Sequence, residues 1–421
     1  EHVASNSNNT NLHGCAYDEY YACLEAIRKP FSNLFDPGRD RVSPEEIIGL
    51  WYDGIDKKGA KSECARIENP TREDFMSYVA RSEPVIITGV ANKWSARKKW
   101  TWEYLKEHLK DDQVVVSVSP NPYFDGPEDA TLWDPEKYQK GDFVVARPAQ
   151  LHISFEQYAQ LLQSPYSNDR TFFYVQYMPL KIFNKGKLAE DIEKSSMQFA
   201  DFLDEKLQLI WLGDGRNGGA IHNDKQENIM AMISGSKLFR LVPPLTDQSE
   251  YLYAGLPMRG GNLKYGWTQE KDPATGLPKA EFRRNREELS EINPYQSYTA
   301  VRIDTPDYKK FPKSRNLNVI ECQVNEGEML YNPAHWWHEV TSGPDKTGKS
   351  LGINWFFAPL YNHIITNDTF WEPNRNYMPV GEALEKNSAR VGKTLPFNLT
   401  KLVHTGNDYM LKAASVRHEE L

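Results

Sequence analysis

The stretch that decides the fold is EMLYNPAHWWHEVTSGPDKTGKSLGINWFF, residues 328–357. It contains GPDKTGKS (343–350), which satisfies the phosphate-binding pattern G-x-x-x-x-G-K-[ST]. That pattern binds phosphate when a helix leaves the loop, because the helix N-terminus then faces the anion. The loop is followed instead by LGINWFF (351–357), whose β-branched and aromatic residues predict a strand. We therefore expect a hairpin tip between two strands, with an exposed Lys349, and no nucleotide site.

Composition narrows the classes of function. The chain has 421 residues, 39% of them hydrophobic, and can bury a large core in one or two domains. A net charge of −8 argues against a nucleic-acid partner, and no apolar run is long enough to span a membrane. The cysteines Cys15, Cys23, Cys64 and Cys322 are too few and too scattered to predict a disulfide framework. This cysteine usage suits a reducing compartment, and we expect a cytoplasmic or nuclear location.

Local patterns divide the chain into four regions. Residues 1–16 are rich in Asn and Ser and are predicted to be disordered. Residues 17–112 are predicted to be mainly helical, with helices in SPEEIIGLWYDGI (43–55) and TREDFMSYVAR (71–81). Residues 113–360 carry most strand signals, interrupted by a polar insertion at about 245–318 that contains a helix-like piece, AEFRRNREELSEI (280–292). Residues 361–421 are predicted to form helices that pack on the domain or make a homodimer.

The predicted strands are short and rich in β-branched and aromatic residues. They are PVIITGV (84–90), VVVSVS (114–119), FFYVQYM (172–178), LQLIWLG (207–213), ENIMAMI (227–233), KLFRLV (237–242), GEMLYN (327–332) and LGINWFF (351–357). The region from 113 to 360 is therefore predicted to be mainly β.

A candidate metal site is indicated by GGAIHNDKQEN (218–228). In extended backbone, residues i and i+2 share a face, so His222 and Asp224 can converge on one ion. A second histidine, His338, would complete a set of two imidazoles and one carboxylate, which suits non-haem Fe(II). A hydrogen-bonded His–Asp pair in a turn is the alternative interpretation.

The next strand begins with Lys237, after a Ser-Gly-Ser turn. A lysine side chain and an extended five-carbon diacid would together span most of the roughly 16 Å length of the preceding strand. Lys237 is therefore a candidate for binding one carboxylate of 2-oxoglutarate while the other end chelates the metal. A surface lysine at a turn is the alternative.

These motifs resemble the JmjC-domain 2-oxoglutarate oxygenases of the small hydroxylase type. The resemblance runs from about residue 83 to 362, through PVIITGVANKW, YVQ, WLG, HND, DTPDYKKFP, EGEMLYNPAHWWHEV and GINWFF. Within the family, the chain resembles the lysyl hydroxylases that act on developmentally regulated GTP-binding proteins. The resemblance implies a double-stranded β-helix, a jelly-roll barrel of the cupin type, with helical segments at both ends.

The resemblance also implies roles for individual residues. Iron would be held by His222, Asp224 and His338, and the distal carboxylate of 2-oxoglutarate would be received by Lys237 and Tyr174. The same pocket would be lined by Asn228 and Asn354. Two positions need comment. Many relatives have a hydroxyl residue three positions before the first iron histidine, where this chain has Gly219. In AHWWH, His335 is an alternative to His338 as the second histidine ligand.

The activity implied is hydroxylation of a protein lysine at C3, with Fe(II) as cofactor and with 2-oxoglutarate and O2 consumed to give succinate and CO2. Three alternatives stay open. An N-methyl carbon could be the target, which gives demethylation of histone-type substrates. The same ligands could hold Zn or Mn and activate water in a peptidase. The barrel could also be an inert binding module. Trp336 and Trp337 are expected to pack in the core beside the site.

Overall fold

A computed structural model describes residues 61–80, 83–203, 205–224, 226–244, 246–254, 263–271, 278–285 and 298–357. The predicted disordered segment, the helix expected at 43–55 and the C-terminal extension at 361–421 lie outside these residues. None of the described helices is long and apolar enough to cross a membrane.

The described residues form eighteen strands, which belong to two facing barrel sheets and a third, smaller sheet. In chain order they are β1 (Lys61–Glu63), β2 (Ala65–Glu68), β3 (Val85–Thr88), β4 (Gln113–Ser119), β5 (Gly126–Asp129), β6 (Phe143–Arg147), β7 (Ala149–Ser154), β8 (Phe172–Pro179), β9 (Glu205–Gly213), β10 (Gly218–Asn223), β11 (Glu227–Ser234), β12 (Ser236–Val242), β13 (Leu263–Lys271), β14 (Pro278–Asn285), β15 (Val319–Val324), β16 (Met329–Asn332), β17 (Trp337–Gly343) and β18 (Ser350–Phe357).

The sheet topology is that of a double-stranded β-helix. The large sheet has the order β2-β3-β16-β11-β18-β9-β8-β4-β7, and the small sheet has the order β1-β15-β12-β17-β10. From β9 to β12 and again from β15 to β18, strands that follow each other along the chain belong alternately to the two sheets. A third sheet, β14-β13-β6-β5, includes strands from the insertion between β12 and β15. The predicted mainly β, cupin-type fold is confirmed.

The apolar run of β11 shows why the large sheet is buried on both faces. Successive side chains of a strand point to opposite faces. Ile229 and Ala231 join the hydrophobic cluster under the helices, whereas Met230 and Met232 join the cluster inside the barrel with Phe239 of β12. A strand covered on both sides has no polar face, which explains why IMAMI does not alternate in sequence.

Four helices cover the outer face of the large sheet: α1 (Arg72–Ala80), α2 (Ala96–Lys99), α3 (Trp102–Leu109) and α4 (Phe155–Leu162). A further described helix, α5 (Thr246–Tyr251), lies in the insertion. Helix α4 begins with a capping box, since the Ser154 hydroxyl accepts from the Gln157 backbone and the Gln157 side chain accepts from the Ser154 backbone. The predicted helix at 71–81 is confirmed as α1.

All eight strands predicted from local sequence patterns are present, and each predicted end lies within two residues of the observed end. The helix predicted at 280–292 is wrong for residues 280–285, the part of this piece that the structure describes. Residues Pro278–Asn285 form β14, which pairs in antiparallel register with β13 from Lys264↔Asn285 to Lys271↔Pro278. Pairing across the ladder overrides the helical preference of its charged residues.

The expected hairpin at GPDKTGKS is also wrong. Strand β17 lies in the small sheet between β12 and β10, and β18 lies in the large sheet between β11 and β9. The loop therefore crosses from one sheet to the other. Asp345 closes the loop internally, because its Oδ1 atom accepts from the backbone N–H groups of Thr347 (2.8 Å) and Lys349 (3.0 Å). The N–H groups that a phosphate would need are thus occupied by a carboxylate.

The predicted exposure of Lys349 is wrong. The residue is buried, with 4% of its surface accessible. Its Nζ atom donates to the carbonyl oxygen of Trp100 at 2.5 Å and lies 3.9 Å from Asp345. Burial lowers the pKa of the Lys349 ammonium. This lysine ties the crossing loop to the chain between α2 and α3.

A disulfide joins Cys64 and Cys322, contrary to the expectation from cysteine counting. The two residues are 258 positions apart in sequence, with Cα atoms 4.8 Å apart. Cys64 lies between β1 and β2, and its backbone N–H donates to Glu321 of β15. The parallel pairing of β1 with β15 brings the two thiols together, and only the tertiary fold contains that information.

The substitution Lys349→Met tests whether the lysine has this structural role. Met preserves most of the volume but leaves the Trp100 carbonyl without its buried donor, so we expect a loss of about 1–3 kcal/mol in the free energy of unfolding, measured by urea denaturation. Lys346→Met, at an exposed position of the same loop, is the matched control and should change stability little. Equal stability of the two variants, or ATP binding that depends on Lys349, would contradict the assignment.

Candidate active site

Two neighbouring strands of the small sheet place three potential metal ligands at one point. Strand β10 ends with His222 and Asn223, Asp224 follows directly, and antiparallel β17 carries His338. The register pairs His222 with His338, and their ring centroids lie 4.2 Å apart. One ligand atom from each of His222, Asp224 and His338 lies within 4.8 Å of the others. The structure thus brings together the three residues that the sequence singled out.

Backbone carbonyls orient both imidazoles. The Nδ1 atom of His222 is 2.7 Å from the carbonyl oxygen of Ala220, and Nδ1 of His338 is 3.0 Å from that of Trp336. A carbonyl can only accept, so each Nδ1 carries a proton, and Nε2 is the ring nitrogen that remains for a metal. This is the arrangement in which a histidine binds a metal through Nε2 with its ring fixed from behind.

Burial keeps the second histidine neutral. His338 is 3% exposed, and burial, with the neighbouring His222 as a second cause, lowers its pKa to about 4. A neutral imidazole has the lone pair that a metal requires. Asp224 is 8% exposed and supplies the carboxylate. Two imidazoles and one carboxylate match the donor set preferred by Fe(II) with open coordination positions.

His335 lies outside this group of three. It precedes β17 and has φ of 69°, and its backbone N–H donates to the carbonyl oxygen of Asp224 at 2.7 Å. The turn is held by buried Glu227, whose Oε2 atom accepts from the Tyr331 hydroxyl (2.8 Å) and the Ala334 backbone N–H (3.0 Å). No role for Glu227 was predicted from the sequence. Its signal is an acidic residue at the start of the buried strand ENIMAMIS.

Lys237 lies in the same cavity as the three ligands. Its Nζ atom donates to the Tyr174 hydroxyl at 2.9 Å and to the Ser342 hydroxyl at 2.8 Å. The side chain is 4% exposed, and burial lowers its pKa to about 7. A buried ammonium that is hydrogen-bonded to two hydroxyls and has no carboxylate partner in these contacts is suited to receive an anion.

Ser342 was missed by the sequence analysis. Its signal is the two-residue period of β17: His338, Val340 and Ser342 occupy positions i, i+2 and i+4 on one face of the strand. The metal-site histidine and the lysine partner therefore project from the same side of a single strand. Ser342 therefore supplies a hydroxyl beside Lys237 in a chain that has Gly219 where a hydroxyl residue was expected.

Gly219 leaves space in the cavity wall. A Cβ atom built there would meet only the Cε1 atom of His222, at 3.8 Å, which is an ordinary van der Waals distance. The backbone therefore does not demand glycine for steric reasons. A hydroxyl side chain could be accommodated at this position. In this chain, Tyr174 and Ser342 are the hydroxyls that contact Lys237.

The two asparagines form one amide chain on the large sheet. Asn354 is fully buried on β18, and its Nδ2 atom donates to Oδ1 of Asn228 at 3.1 Å. The Oδ1 atom of Asn354 in turn accepts from the indole of Trp211 at 2.7 Å. Asn228 lines the cavity, whereas Asn354 lies behind it and fixes the orientation of its amide. Trp336 and Trp337 are both buried in hydrophobic clusters, as expected.

Comparison with known proteins gives one family. The family described as Cupin-like domain matches residues 70–363. The chain is 27% identical over 315 residues to JmjC domain-containing protein E of Dictyostelium discoideum, covering 70% of this chain and 84% of that protein. It is 26% identical over 327 residues to Lysine-specific demethylase JMJ32 of Arabidopsis thaliana, covering 74% and 86% respectively. It is 24% identical over 295 residues to human Bifunctional peptidase and (3S)-lysyl hydroxylase JMJD7, covering 68% and 81%.

Titration with Mn(II) tests the three ligands without requiring any reaction. Asp224→Asn removes the only negative charge of the set, so we expect the affinity for Mn(II) to fall by about a hundredfold, measured by calorimetry or electron paramagnetic resonance. His335→Asn is the matched control, because Asn tolerates the positive φ and the side chain lies outside the set. Loss of Mn(II) binding in the control with retention in Asp224→Asn would assign the site to other residues.

Proposed function

We propose, because this chain belongs to the cupin-like JmjC domain family, that it is a protein hydroxylase dependent on Fe(II) and 2-oxoglutarate. The observation that carries the proposal is a single cavity with a metal-ligand set at one end and a buried, hydroxyl-bonded ammonium at the other. One molecule with a chelating end and a distal carboxylate would satisfy both ends at once. 2-Oxoglutarate has this chemistry.

In this proposal His222, Asp224 and His338 hold the iron, and Lys237 with Tyr174 and Ser342 holds the distal carboxylate. The bound iron and co-substrate supply the oxidising power: one atom of O2 enters succinate and the other enters the hydroxylated C–H bond, with release of CO2. The residues of this chain orient the ligands, fix the co-substrate and exclude water from the cavity. Asn228 lies on the cavity wall between the two ends, with Asn354 behind it, to position the co-substrate.

The proposed substrate is a lysine side chain of a protein, hydroxylated at C3, and a GTP-binding protein is the proposed partner. The support is the (3S)-lysyl hydroxylase activity named for the human relative, together with the sequence motifs quoted above. A second candidate function is demethylation of N-methyl-lysine, because the Arabidopsis relative is named a lysine-specific demethylase. We further propose a homodimer and, from the low cysteine count, a cytoplasmic or nuclear location, which the Cys64–Cys322 disulfide does not favour.

Mass spectrometry of candidate substrates tests the reaction and its outcome together. Incubation of purified GTP-binding proteins with the enzyme, Fe(II) and 2-oxoglutarate should add the mass of one oxygen atom to a lysine, with succinate formed in equal amount. Asp224→Asn should lower the rate by at least about a thousandfold, because iron is lost with the carboxylate. Surface variant Lys346→Met is the control.

Other outcomes select the alternatives. Formaldehyde release from methylated histone peptides would indicate demethylation, and peptide cleavage without 2-oxoglutarate would indicate a peptidase. Turnover by Asp224→Asn equal to that of the unmodified protein would contradict the proposed metal site.

The pH dependence of 2-oxoglutarate binding tests the role of Lys237. With a pKa of about 7 in the free protein, this amine is charged below pH 7 and increasingly neutral above it. The carboxylate needs the charged form, so binding above pH 7 must take up one proton, and the Kd should rise by about tenfold per pH unit. Calorimetry in two buffers of different ionisation enthalpy measures that proton. A Kd that stays constant from pH 7 to about pH 9 would exclude Lys237 as the titrating carboxylate receptor.

A further inference from the structure

One wall of the cavity is used by neither the metal ligands nor the residues around Lys237. It is formed by Asp125, Tyr177 and Tyr298, which line the same cavity as His222 and Lys237. Asp125 is 8% exposed, which makes it a buried carboxylate separate from the metal set. A buried carboxylate that faces a cavity needs a chemical explanation.

Arg147 holds Asp125 from one side. Asp125 lies just before β5 and Arg147 ends β6, and the antiparallel pairing of Gly126 with Ala146 sets these two side chains next to each other. The Arg147 Nη1 atom donates to Oδ1 of Asp125 at 2.8 Å. Within the described part of the chain, Oδ2 receives no hydrogen bond. The ion pair fixes the orientation of the carboxylate and leaves its second oxygen open to a ligand.

The two tyrosines place this wall beside the metal ligands. The Tyr298 ring stacks on His222, with centroids 5.4 Å apart and planes at 17°, and its hydroxyl accepts from Arg147 Nη1 at 3.3 Å. Tyr177 has φ of 58° at a register shift of β8 between Val175 and Met178. A bulge of this kind re-aims a side chain, and here it turns Tyr177 into the cavity.

The hydrogen-bonding character of the wall selects the ligand. A free carboxylate oxygen accepts, phenolic oxygens also accept, and tyrosine faces attract cations. A side-chain head group that only donates, an ammonium or a guanidinium, satisfies the open oxygen of Asp125. An ionised acidic head group has no donor to offer that oxygen, whose charge Arg147 already balances. Lys237 adds no repulsion at this wall once its charge is matched by a carboxylate of the co-substrate.

We propose that Asp125, with Tyr177 and Tyr298, is the part of the cavity that selects a substrate side chain ending in an N–H-bearing cation, the unmethylated amine of lysine above all. This inference rests on the proposed function, because it assigns the substrate half of the same cavity. It also separates the two candidate reactions, because a trimethylated amine has no N–H to donate to Asp125.

Peptide libraries with one fixed central residue test the proposal. The central residue is lysine, trimethyl-lysine or norleucine, which has a straight side chain without the amine, and the readout is succinate formed above the peptide-free rate. The lysine library should stimulate the wild-type enzyme about tenfold more strongly than either of the others, the ratio expected from one charge-assisted hydrogen bond. Equal stimulation by lysine and norleucine, or no stimulation by lysine, would overturn it.

Variants of the wall residues test whether the preference for lysine arises at this wall. Asp125→Asn should raise the KM for the lysine library by about tenfold or more and remove the preference over norleucine. Tyr177→Phe deletes a single hydroxyl and should reduce the same preference, which keeps the test valid if Asp125→Asn does not fold. Asp169→Asn, at an exposed position, makes the same charge change outside the cavity and should keep the wild-type preference. An unchanged preference in both cavity variants would contradict the assignment.

The design separates two failures. If the wild-type protein binds neither Mn(II) nor 2-oxoglutarate in calorimetry, the proposed function fails. If it binds both and turns over 2-oxoglutarate, but responds equally to lysine and norleucine, only the role of this wall fails.

Discussion

The site depends on the register of one antiparallel strand pair. Strands β10 and β17 place His222 directly opposite His338, and Asp224 follows two residues after the first histidine. A slip of one residue would turn one imidazole to the opposite face, because the side-chain period of a strand is two. The register is held by apolar residues on both strands and by the turn that Glu227 fixes. A metal site between distant parts of the chain therefore needs no flexible loop to assemble it.

The other end of the cavity stores an electrostatic cost. Lys237 is buried beside two hydroxyls, and the lowered pKa measures how strongly burial disfavours its charged form. In the unfolded chain the amine is charged until about pH 10.5, so folding is opposed at neutral pH and the opposition weakens as pH rises above 7. A functional explanation is that an anionic co-substrate offsets this cost on binding. The stability sacrificed in the free protein then contributes to affinity for the ligand.

Sequence patterns predicted what depends on local repetition. The two-residue period of H-x-D, the β-branched strands and the long insertion were all readable, and so was the fold class through its motifs. Four features could not be predicted from sequence patterns. Pairing of Cys64 with Cys322, burial of Lys349 under Trp100, and the strand at Pro278–Asn285 depend on contacts between distant segments. The crossing of GPDKTGKS between sheets follows from barrel topology, since successive strands of a double-stranded β-helix alternate sheets. Ser342, by contrast, could have been predicted by extending the two-residue period of β17 from His338.

The division of the cavity between elements suggests how one barrel can serve several substrates. The metal ligands, Lys237 and Ser342 all belong to or adjoin the eight strands of the double-stranded β-helix. Asp125 and Tyr298 lie outside those strands, and Tyr177 lies at a bulge of the neighbouring strand β8. In the proposed function, the barrel fixes where the co-substrate and metal lie, and the surrounding segments determine which carbon of a substrate approaches them. Because hydroxylation of a lysine carbon and removal of an N-methyl group differ in that approach, we propose that the outer wall, not the three ligands, decides between them.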